Sequence, residues 1–173
     1  METDKIKLRR WRESDAAALF RYASDPEVGP KAGWPAHKSE QESLSVIRNI
    51  FSNDRTWAIE LKESGEAIGC ICYYTCRESN IGIGKNDAEI GYWIARPYWN
   101  MGICTDALRL VVRYCFEVKG SGTLWCDFLE DNPASGRVLE KCGFKESGRT
   151  NLSSRLYHSG GQPVKVMRLD RPQ

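Results

Sequence analysis

The chain has 173 residues, of which 41% are hydrophobic and 28% charged, as is typical of a globular protein with one full hydrophobic core. The formal net charge is only +2, and no cluster of Lys and Arg is interleaved with aromatic residues, which argues against a nucleic-acid partner. The N-terminus is charged and no apolar run is long enough to span a membrane. We therefore expect a cytoplasmic protein without a membrane partner.

The first third of the chain predicts one strand and two helices. Residues 6–11 have the pattern of a short strand, and Ser14 is placed to cap a helix over residues 15–23. The stretch 29–38 is rich in Gly and Pro and predicts a loop. Ser39 then begins a capping box, and apolar residues at helical spacing predict a second helix after it.

The middle of the chain has the alternation that is typical of strands. Residues 57–61 alternate between apolar and polar side chains, and a polar turn separates them from a second run at 67–76, so a hairpin is expected. A loop over 77–87 leads to a third strand at 88–95. This middle section holds three of the seven cysteines, at 70, 72 and 76, which would lie on one face of the second strand.

The seven cysteines follow no export signal, and an odd number favours free thiols in a reducing compartment. A metal site at Cys70, Cys72 and Cys76 is the alternative. No His or second Cys pair has the spacing of metal ligands, so we expect buried thiols and no metal.

The last third predicts two helices among three strands. A long amphipathic helix covers 103–118, and a strand follows at 122–129. Asn132 is placed to cap the second helix, which ends at Gly143. Strands at 145–151 and 164–169 complete the order β-α-α-β-β-β-α-β-α-β-β. This order indicates a mixed α/β protein, which we expect to form a single domain over residues 1–173.

A small loop precedes the long helix, in the stretch EIGYWIARPYWNMGICTDALRL. A helix N-terminus carries unpaired N–H groups and the positive end of the helix dipole, and therefore suits an anion. Gly102 lets the backbone approach a ligand closely, Cys104 is small, and Thr105 adds a hydroxyl. The alternative is that Gly102 only shapes a tight turn.

The segments EIGYWI…PYWNMGICTDAL and DNPASGRVLEKCGF together resemble the GNAT superfamily of acetyl-CoA-dependent N-acetyltransferases. They are most similar to its Rim-type branch, the ribosomal-protein alanine acetyltransferases and their relatives, and the opening LRRWRESDAAALFRYASDPEV resembles the start of that branch. The resemblance implies a twisted, mostly antiparallel sheet that is splayed between its two central strands and flanked by helices. It also implies acetyl-CoA as co-substrate and allows a homodimer.

The same resemblance implies which residues bind the coenzyme. The family's pyrophosphate loop follows the pattern Q/R-x-x-G-x-G/A. Trp99 takes the first place, Gly102 matches the first glycine, and Cys104 stands where Gly or Ala is usual. Asn100 replaces a glycine that is common in the branch. The cofactor-binding residues implied are Ile94, Asn100, Met101, Gly102, Ile103, Cys104, Thr105, Asn132 and Ser135.

Two residues are implied as catalytic. Glu89 matches the acidic position that several family members use as a base, and its alternative is a solvated carboxylate at the start of a strand. Ser135 is implied as the acid that faces the coenzyme A sulfur, because Leu139 occupies the position where many members carry a tyrosine. A tyrosine from elsewhere is the other candidate. The resemblance also implies direct attack by the amine with no acyl-enzyme intermediate. Cys104, which has no partner His in sequence, is therefore not expected to be a nucleophile.

The leading interpretation is thus an N-acetyltransferase that acts on a protein N-terminus or on a small-molecule amine. A non-catalytic acetyl-CoA-binding module and a nucleotide-binding α/β protein are the alternatives. The loops 29–38, 77–87 and 150–163 are the expected acceptor loops. His37 and His158 lie in two of them and are expected to be exposed.

Overall fold

The computed structural model describes residues 1–151 and 163–172. Within these residues, seven strands form one sheet in the order β1-β2-β3-β4-β5-β7-β6, in which only β4 and β5 run parallel. The mostly antiparallel sheet and the predicted order of elements are both confirmed. The strands are Ile6–Arg9 (β1), Thr56–Leu61 (β2), Ala67–Tyr74 (β3), Ala88–Ile94 (β4), Thr123–Leu129 (β5), Lys145–Asn151 (β6) and Pro163–Asp170 (β7).

Helices cover both faces of the sheet. The α-helices of the described part of the chain are Ala16–Ala23 (α1), Glu40–Val46 (α2), Ile103–Glu117 (α3) and Pro133–Lys141 (α4). Side chains of α3 and α4 pack with β1 to β5 and β7 in the larger core cluster, whereas α1 and the segment after α2 pack on the other face of β2 and β3. Because β3 is covered on both faces, it is a continuous apolar run and not an alternating one.

The sheet opens between its two central strands. β4 pairs with β5 only at Ala88–Leu124 and Glu89–Trp125. Beyond these pairs β4 follows β3 as far as Ile94, and β5 follows β7 as far as Leu129. The two strands therefore diverge and leave a gap, which confirms the predicted splay. We call this opening the β4–β5 gap.

The start of the chain corrects the predicted cap of α1. Ser14 lies inside a short 3-10 turn, Glu13–Asp15, that precedes the helix. Asp15 does not cap it either, because its carboxylate accepts a bond from the Arg12 amide at 2.8 Å and two from the buried Arg9 guanidinium at 2.6 and 2.8 Å. A buried arginine requires a paired carboxylate, and this need overrides the local capping pattern.

Two residues were also predicted wrongly: Val118 was expected on the apolar face of the long helix, and Cys76 on the same strand as Cys70 and Cys72. Val118 is 66% exposed, because α3 ends at Glu117 and Val118 lies just beyond it. Cys76 lies beyond the end of β3, so that only Cys70 and Cys72 share the strand and are buried there. All seven cysteines are free thiols, as predicted.

Within the described residues, no helix combines the length and apolar character that crossing a membrane requires. Over the same residues, no group of three or more His, Cys, Asp or Glu side chains is arranged to hold a metal ion.

Candidate active site

The loop before α3 adopts left-handed backbone angles at two positions. Asn100 has φ of 61° and Gly102 has φ of 79°, and both residues are exposed. Asn and Gly are the residues that tolerate these angles best, so the local sequence explains the turn. The Gly102 carbonyl accepts a bond from the Asp106 amide at 3.0 Å, which leaves the three amides of 103–105 as the open first turn of the helix.

Trp99 fixes the start of this loop to the end of β4. Its indole N–H donates to the Ile94 carbonyl at 2.8 Å. Ile94, predicted to pair with the coenzyme, therefore already uses one lone pair of its carbonyl for Trp99. A second lone pair remains on that oxygen.

The side chains at the start of α3 are not presented to a ligand, which leaves the backbone amides as the groups that could bind one. Ile103 and Thr105 are buried, so the Thr105 hydroxyl is not presented at the surface of the loop. Burial, with a smaller contribution from Cys142, raises the pKa of Cys104 to about 12. Such a thiol is almost wholly protonated at neutral pH and is a poor nucleophile.

We expect Gly102→Val to weaken coenzyme A binding at least tenfold, a change worth about 1.4 kcal/mol. A Cβ at Gly102 meets nothing within 4 Å, so the substitution adds only backbone strain and a branched side chain in the open space of the loop. Gly120→Val is the matched control, because Gly120 also has positive φ and open surroundings but lies at the other end of α3. Calorimetry should find weaker binding for Gly102→Val alone, and equal weakening in both variants would contradict a specific role of the loop.

Glu89 begins β4 and is one of the most buried side chains, with 1% of its surface exposed. One carboxylate oxygen accepts bonds from Ser79 Oγ at 2.5 Å and the Asn80 amide at 3.0 Å, and the other accepts from Asn80 Nδ2 at 3.3 Å. The alternative of a solvated carboxylate is therefore wrong. The loop 77–87 folds back over the strand and encloses Glu89, a long-range contact that strand periodicity does not reveal.

Asp127 is a second carboxyl group beside Glu89, and sequence reasoning missed it. The register of β4 with β5 places Glu89 opposite Trp125, two residues before Asp127, so both carboxyl groups lie on the same face of the sheet. Burial, and then the charge of Glu89, raise the pKa of Asp127 to about 7. A carboxyl group that titrates near neutrality beside a second carboxylate is a common feature of catalytic sites.

We expect Asp127→Asn to raise the melting temperature at about pH 8 and to leave it unchanged near pH 4. The pKa of Asp127 is higher in the folded protein than in the unfolded chain. Between about pH 4 and pH 7 the folded protein therefore still binds the Asp127 proton, whereas the unfolded chain has released it. The free energy of unfolding thus decreases as the pH rises through that window. Asn does not ionise, so the variant does not show this decrease.

Asp170→Asn is the control for this pH effect. The bond from Arg168 lowers the pKa of Asp170, which gives its contribution the opposite sign. Melting curves in which Asp127→Asn is the less stable protein at alkaline pH would contradict the raised pKa.

Asn132 and Ser135 lie at the start of α4, as predicted. Asn132 Oδ1 accepts from the Ser135 amide at 3.3 Å, which confirms the predicted N-cap. Asn132 Nδ2 donates to the Lys31 carbonyl at 3.1 Å and so ties the loop 29–38 to α4. The Ser135 side chain pairs with Tyr92 of β4, whose hydroxyl oxygen lies 2.9 Å from Ser135 Oγ. Leu139 is fully buried in the core.

The predicted residues surround the β4–β5 gap from two faces of the sheet. Glu89 and Tyr92 differ by three positions along β4, so their side chains lie on opposite faces. The face of Glu89 also carries Asp127, and that of Tyr92 carries Ser135 and the N-terminus of α3. The gap thus has two carboxyl groups on one face, and two hydroxyl groups with a helix N-terminus on the other.

Residues 5–145 match the family model of the acetyltransferase (GNAT) domain, which is most of the chain. The chain belongs to the GNAT acetyltransferase family. An N-acetyltransferase of Bacillus subtilis, the uncharacterised YoaA, is 30% identical over 165 residues, with 92% of this chain and 89% of that protein covered. The sequence prediction of an N-acetyltransferase is confirmed, and acetyl-CoA is the acetyl donor of this family.

Solved structures show the same GNAT fold. Ribosomal-protein-S5-alanine acetyltransferase from Vibrio fischeri has a TM-score of 0.71 at 17% identity and covers 99% of this chain and 98% of its own. Spermidine N-acetyltransferase from Vibrio cholerae, in complex with CoA and spermine, has a TM-score of 0.72 at 17% identity, with 97% of this chain and 96% of that chain covered. At 17% identity, both structures show the fold alone.

In this GNAT acetyltransferase, aromatic side chains border the Glu89 face. Trp34 packs edge-on against Trp93 of β4 with ring centroids 5.7 Å apart, and His37 lies 5.4 Å from Trp34. His37 is half-buried, contrary to the expected exposure, and its Nδ1 lies 2.7 Å from Ser43 Oγ. Burial lowers the pKa of His37, which favours the neutral ring. His158 lies outside the described residues.

Proposed function

We propose that this GNAT acetyltransferase transfers the acetyl group of acetyl-CoA directly to a primary amine in a ternary complex, with residues 1–173 acting as one domain. The observation that carries this proposal is the β4–β5 gap, which opens beside the left-handed loop at the N-terminus of α3. A gap lined by exposed strand edges accepts an extended pantetheine chain by edge pairing, and the adjacent helix N-terminus accepts its pyrophosphate.

The residues of the loop fit that donor. Asn100, Met101 and Gly102 are exposed, and the space around Gly102 is open, so the backbone of residues 100–105 can approach phosphate oxygens. Ile103, Cys104 and Thr105 would contribute amide groups. Next to the start of this loop, where Trp99 bonds its carbonyl, Ile94 would contribute its backbone to the pantetheine chain.

Glu89 is proposed to accept the proton of the acceptor ammonium, through a water molecule because its carboxylate is enclosed. The three donors from Ser79 and Asn80 fix the carboxylate and still leave lone-pair capacity for such a water. Asp127, with a pKa near 7, lies next along this path and can receive the proton in turn. The deprotonated amine then attacks the carbonyl carbon, so that the C–N bond forms and the C–S bond breaks.

Ser135 is proposed to donate a hydrogen bond to the departing sulfur. Its position in the first turn of α4 is fixed by the bond of its amide to Asn132. Both ends of the Asn132 amide group bond within the protein, since Oδ1 accepts from the Ser135 amide and Nδ2 donates to the Lys31 carbonyl. We therefore propose that Asn132 positions α4 against the loop 29–38 and affects the coenzyme through that arrangement.

The proposed acceptor is a cationic amine, either a protein N-terminus or a small-molecule amine. The face of Glu89 and Asp127 is acidic and is bordered by Trp34 and Trp93, and carboxylates with aromatic faces attract ammonium groups. Relatives of the same fold include enzymes named for a ribosomal protein and for spermidine, which illustrate both acceptor classes. A homodimer stays a prediction.

A thiol-release assay over a panel of amines and short peptides tests the proposed function. We expect steady-state release of coenzyme A that depends on one class of amine and matches the amount of acetylated product. A protein that binds acetyl-CoA but releases no thiol with any amine would instead be a non-catalytic acetyl-CoA-binding module.

A further inference from the structure

The hydroxyl group of Tyr92 connects β4 with the first turn of α4. Its oxygen lies 2.9 Å from Ser135 Oγ and 3.1 Å from the Ser135 carbonyl oxygen, both within hydrogen-bonding distance. The two residues are 43 positions apart in the chain. Tyr92 also packs against the larger core cluster, which includes Ile103 and Ala107 of α3. Its phenol is therefore held where β4, α3 and α4 meet.

The hydroxyl group of Tyr92 has two acceptors within reach, both on Ser135. Burial raises the pKa of Tyr92 well above its usual value, so the phenol keeps its proton and acts as a donor at neutral pH. The Ser135 carbonyl, 3.1 Å away, lies within α4, where one of its two lone pairs serves the helical bond from the amide four residues later. Ser135 Oγ is the nearer acceptor, at 2.9 Å.

Building on the proposed function, we propose that Tyr92 is a positioning residue that donates to Ser135 Oγ and so directs the Ser135 proton toward the departing sulfur. A serine hydroxyl rotates freely, and in isolation it has no fixed direction for its proton. Once Oγ accepts the bond from Tyr92, the remaining O–H of Ser135 is left for another acceptor. A donor oriented in advance stabilises a developing thiolate better than one that must rotate during the reaction.

This arrangement also accounts for Leu139, which fills the position where the family resemblance implies a tyrosine. Leu139 is fully buried and has no polar group to offer the reaction. The phenol comes from β4 instead and acts through Ser135. Tyr92 thus determines the orientation of the donor without itself contacting the substrate.

Titration of bound coenzyme A tests this inference without an acceptor. The ultraviolet absorbance of the thiolate gives the pKa of the coenzyme A thiol in complexes with the parent, Tyr92→Phe and Ser135→Ala. We expect the parent to lower the thiol pKa, and both variants to raise it toward the value of free coenzyme A. An unchanged thiol pKa in Tyr92→Phe would overturn the inference. If Tyr92→Phe does not fold, a Ser135→Ala complex with the thiol pKa of the parent would overturn it.

A double-mutant cycle then tests that Tyr92 acts through Ser135. We expect Tyr92→Phe to lower kcat about three- to tenfold with an unchanged KM for acetyl-CoA, and to cause no further loss in the Ser135→Ala background. Tyr73→Phe is the control, because Tyr73 is a buried tyrosine of the same core cluster on β3. It should lower the melting temperature and leave kcat unchanged.

Equal losses of kcat from Tyr92→Phe in both backgrounds would show that Tyr92 acts independently of Ser135. A parent that acetylates no amine would contradict the proposed function, and the thiol titration would still decide the role of Tyr92.

Discussion

Replacing Glu89 with Gln is expected to lower kcat/KM for the acceptor by about a hundredfold or more at low pH and much less at high pH. An acceptor amine with a solution pKa well above neutrality is almost wholly protonated, so its proton must leave before attack. At high pH more of the acceptor is already deprotonated, and the need for a base decreases. The pH profile of kcat/KM for the best acceptor from the thiol-release panel measures this effect.

The structure requires a control for this substitution. The Glu89 carboxylate accepts bonds from Ser79 and Asn80. The NH2 group of Gln can only donate, so it could not accept the bonds that one of these oxygens accepts. Gln at this position is therefore expected to loosen the loop 77–87 as well as remove the base. Ser79→Ala removes one of the same bonds but keeps the carboxylate. It should lower the melting temperature and retain most of kcat.

The two variants together separate the roles of Glu89. A loss of activity that is parallel at every pH, and similar in Glu89→Gln and Ser79→Ala, would indicate that Glu89 only anchors the loop. An unchanged rate in Glu89→Gln would leave Asp127, the carboxyl group beside Glu89, as the proposed base. In that case Asp127→Asn should show the pH-dependent loss instead.

Replacing Ser135 with Ala is expected to lower kcat by about ten- to a hundredfold and to leave the affinity for acetyl-CoA nearly intact. A hydrogen bond to a charged group contributes about 1.5 to 3 kcal/mol, and here the charge is present on sulfur only as the thiolate leaves. The Ser135 amide keeps its bond to Asn132 in the variant, so the cap of α4 survives. Single-turnover rates and calorimetry with acetyl-CoA measure the two effects separately.

Ser121→Ala is the matched control, since Ser121 is a buried serine in the connection from α3 to β5, away from the first turn of α4. It should change stability without changing kcat. An unchanged single-turnover rate in Ser135→Ala would contradict its role at the sulfur. A lowered melting temperature with full activity would indicate that the hydroxyl only stabilises the helix.

The order of helices and strands could be predicted because it depends on local periodicity. The apolar face of α3 and the hairpin of β2 and β3 both follow from patterns among neighbouring residues. The loop before α3 was also predictable, because Gly102 and Asn100 stand where left-handed angles are needed. The cap at Ser14 was predicted wrongly because the buried Arg9–Asp15 ion pair determines the turn before α1. The burial of Val118 was predicted wrongly because α3 ends one residue before it.

The rest of the site depends on contacts between distant parts of the chain. Asp127 becomes a partner of Glu89 only because β5 pairs with β4, and no local pattern specifies that pairing. Tyr92 and Ser135 are separated by a strand, a loop and a long helix, and their bond follows from the position of α4. The enclosure of Glu89 likewise follows from how the loop 77–87 folds back.

Calorimetric titration with acetyl-CoA, coenzyme A, ATP and NAD is the most direct test of the central claim, that the β4–β5 gap and the loop before α3 bind the acetyl donor. We predict one acetyl-CoA or coenzyme A bound per chain, in competition with each other, and no tight binding of ATP or NAD. Tight binding of ATP or NAD, with neither acetyl-CoA nor coenzyme A bound, would contradict the account.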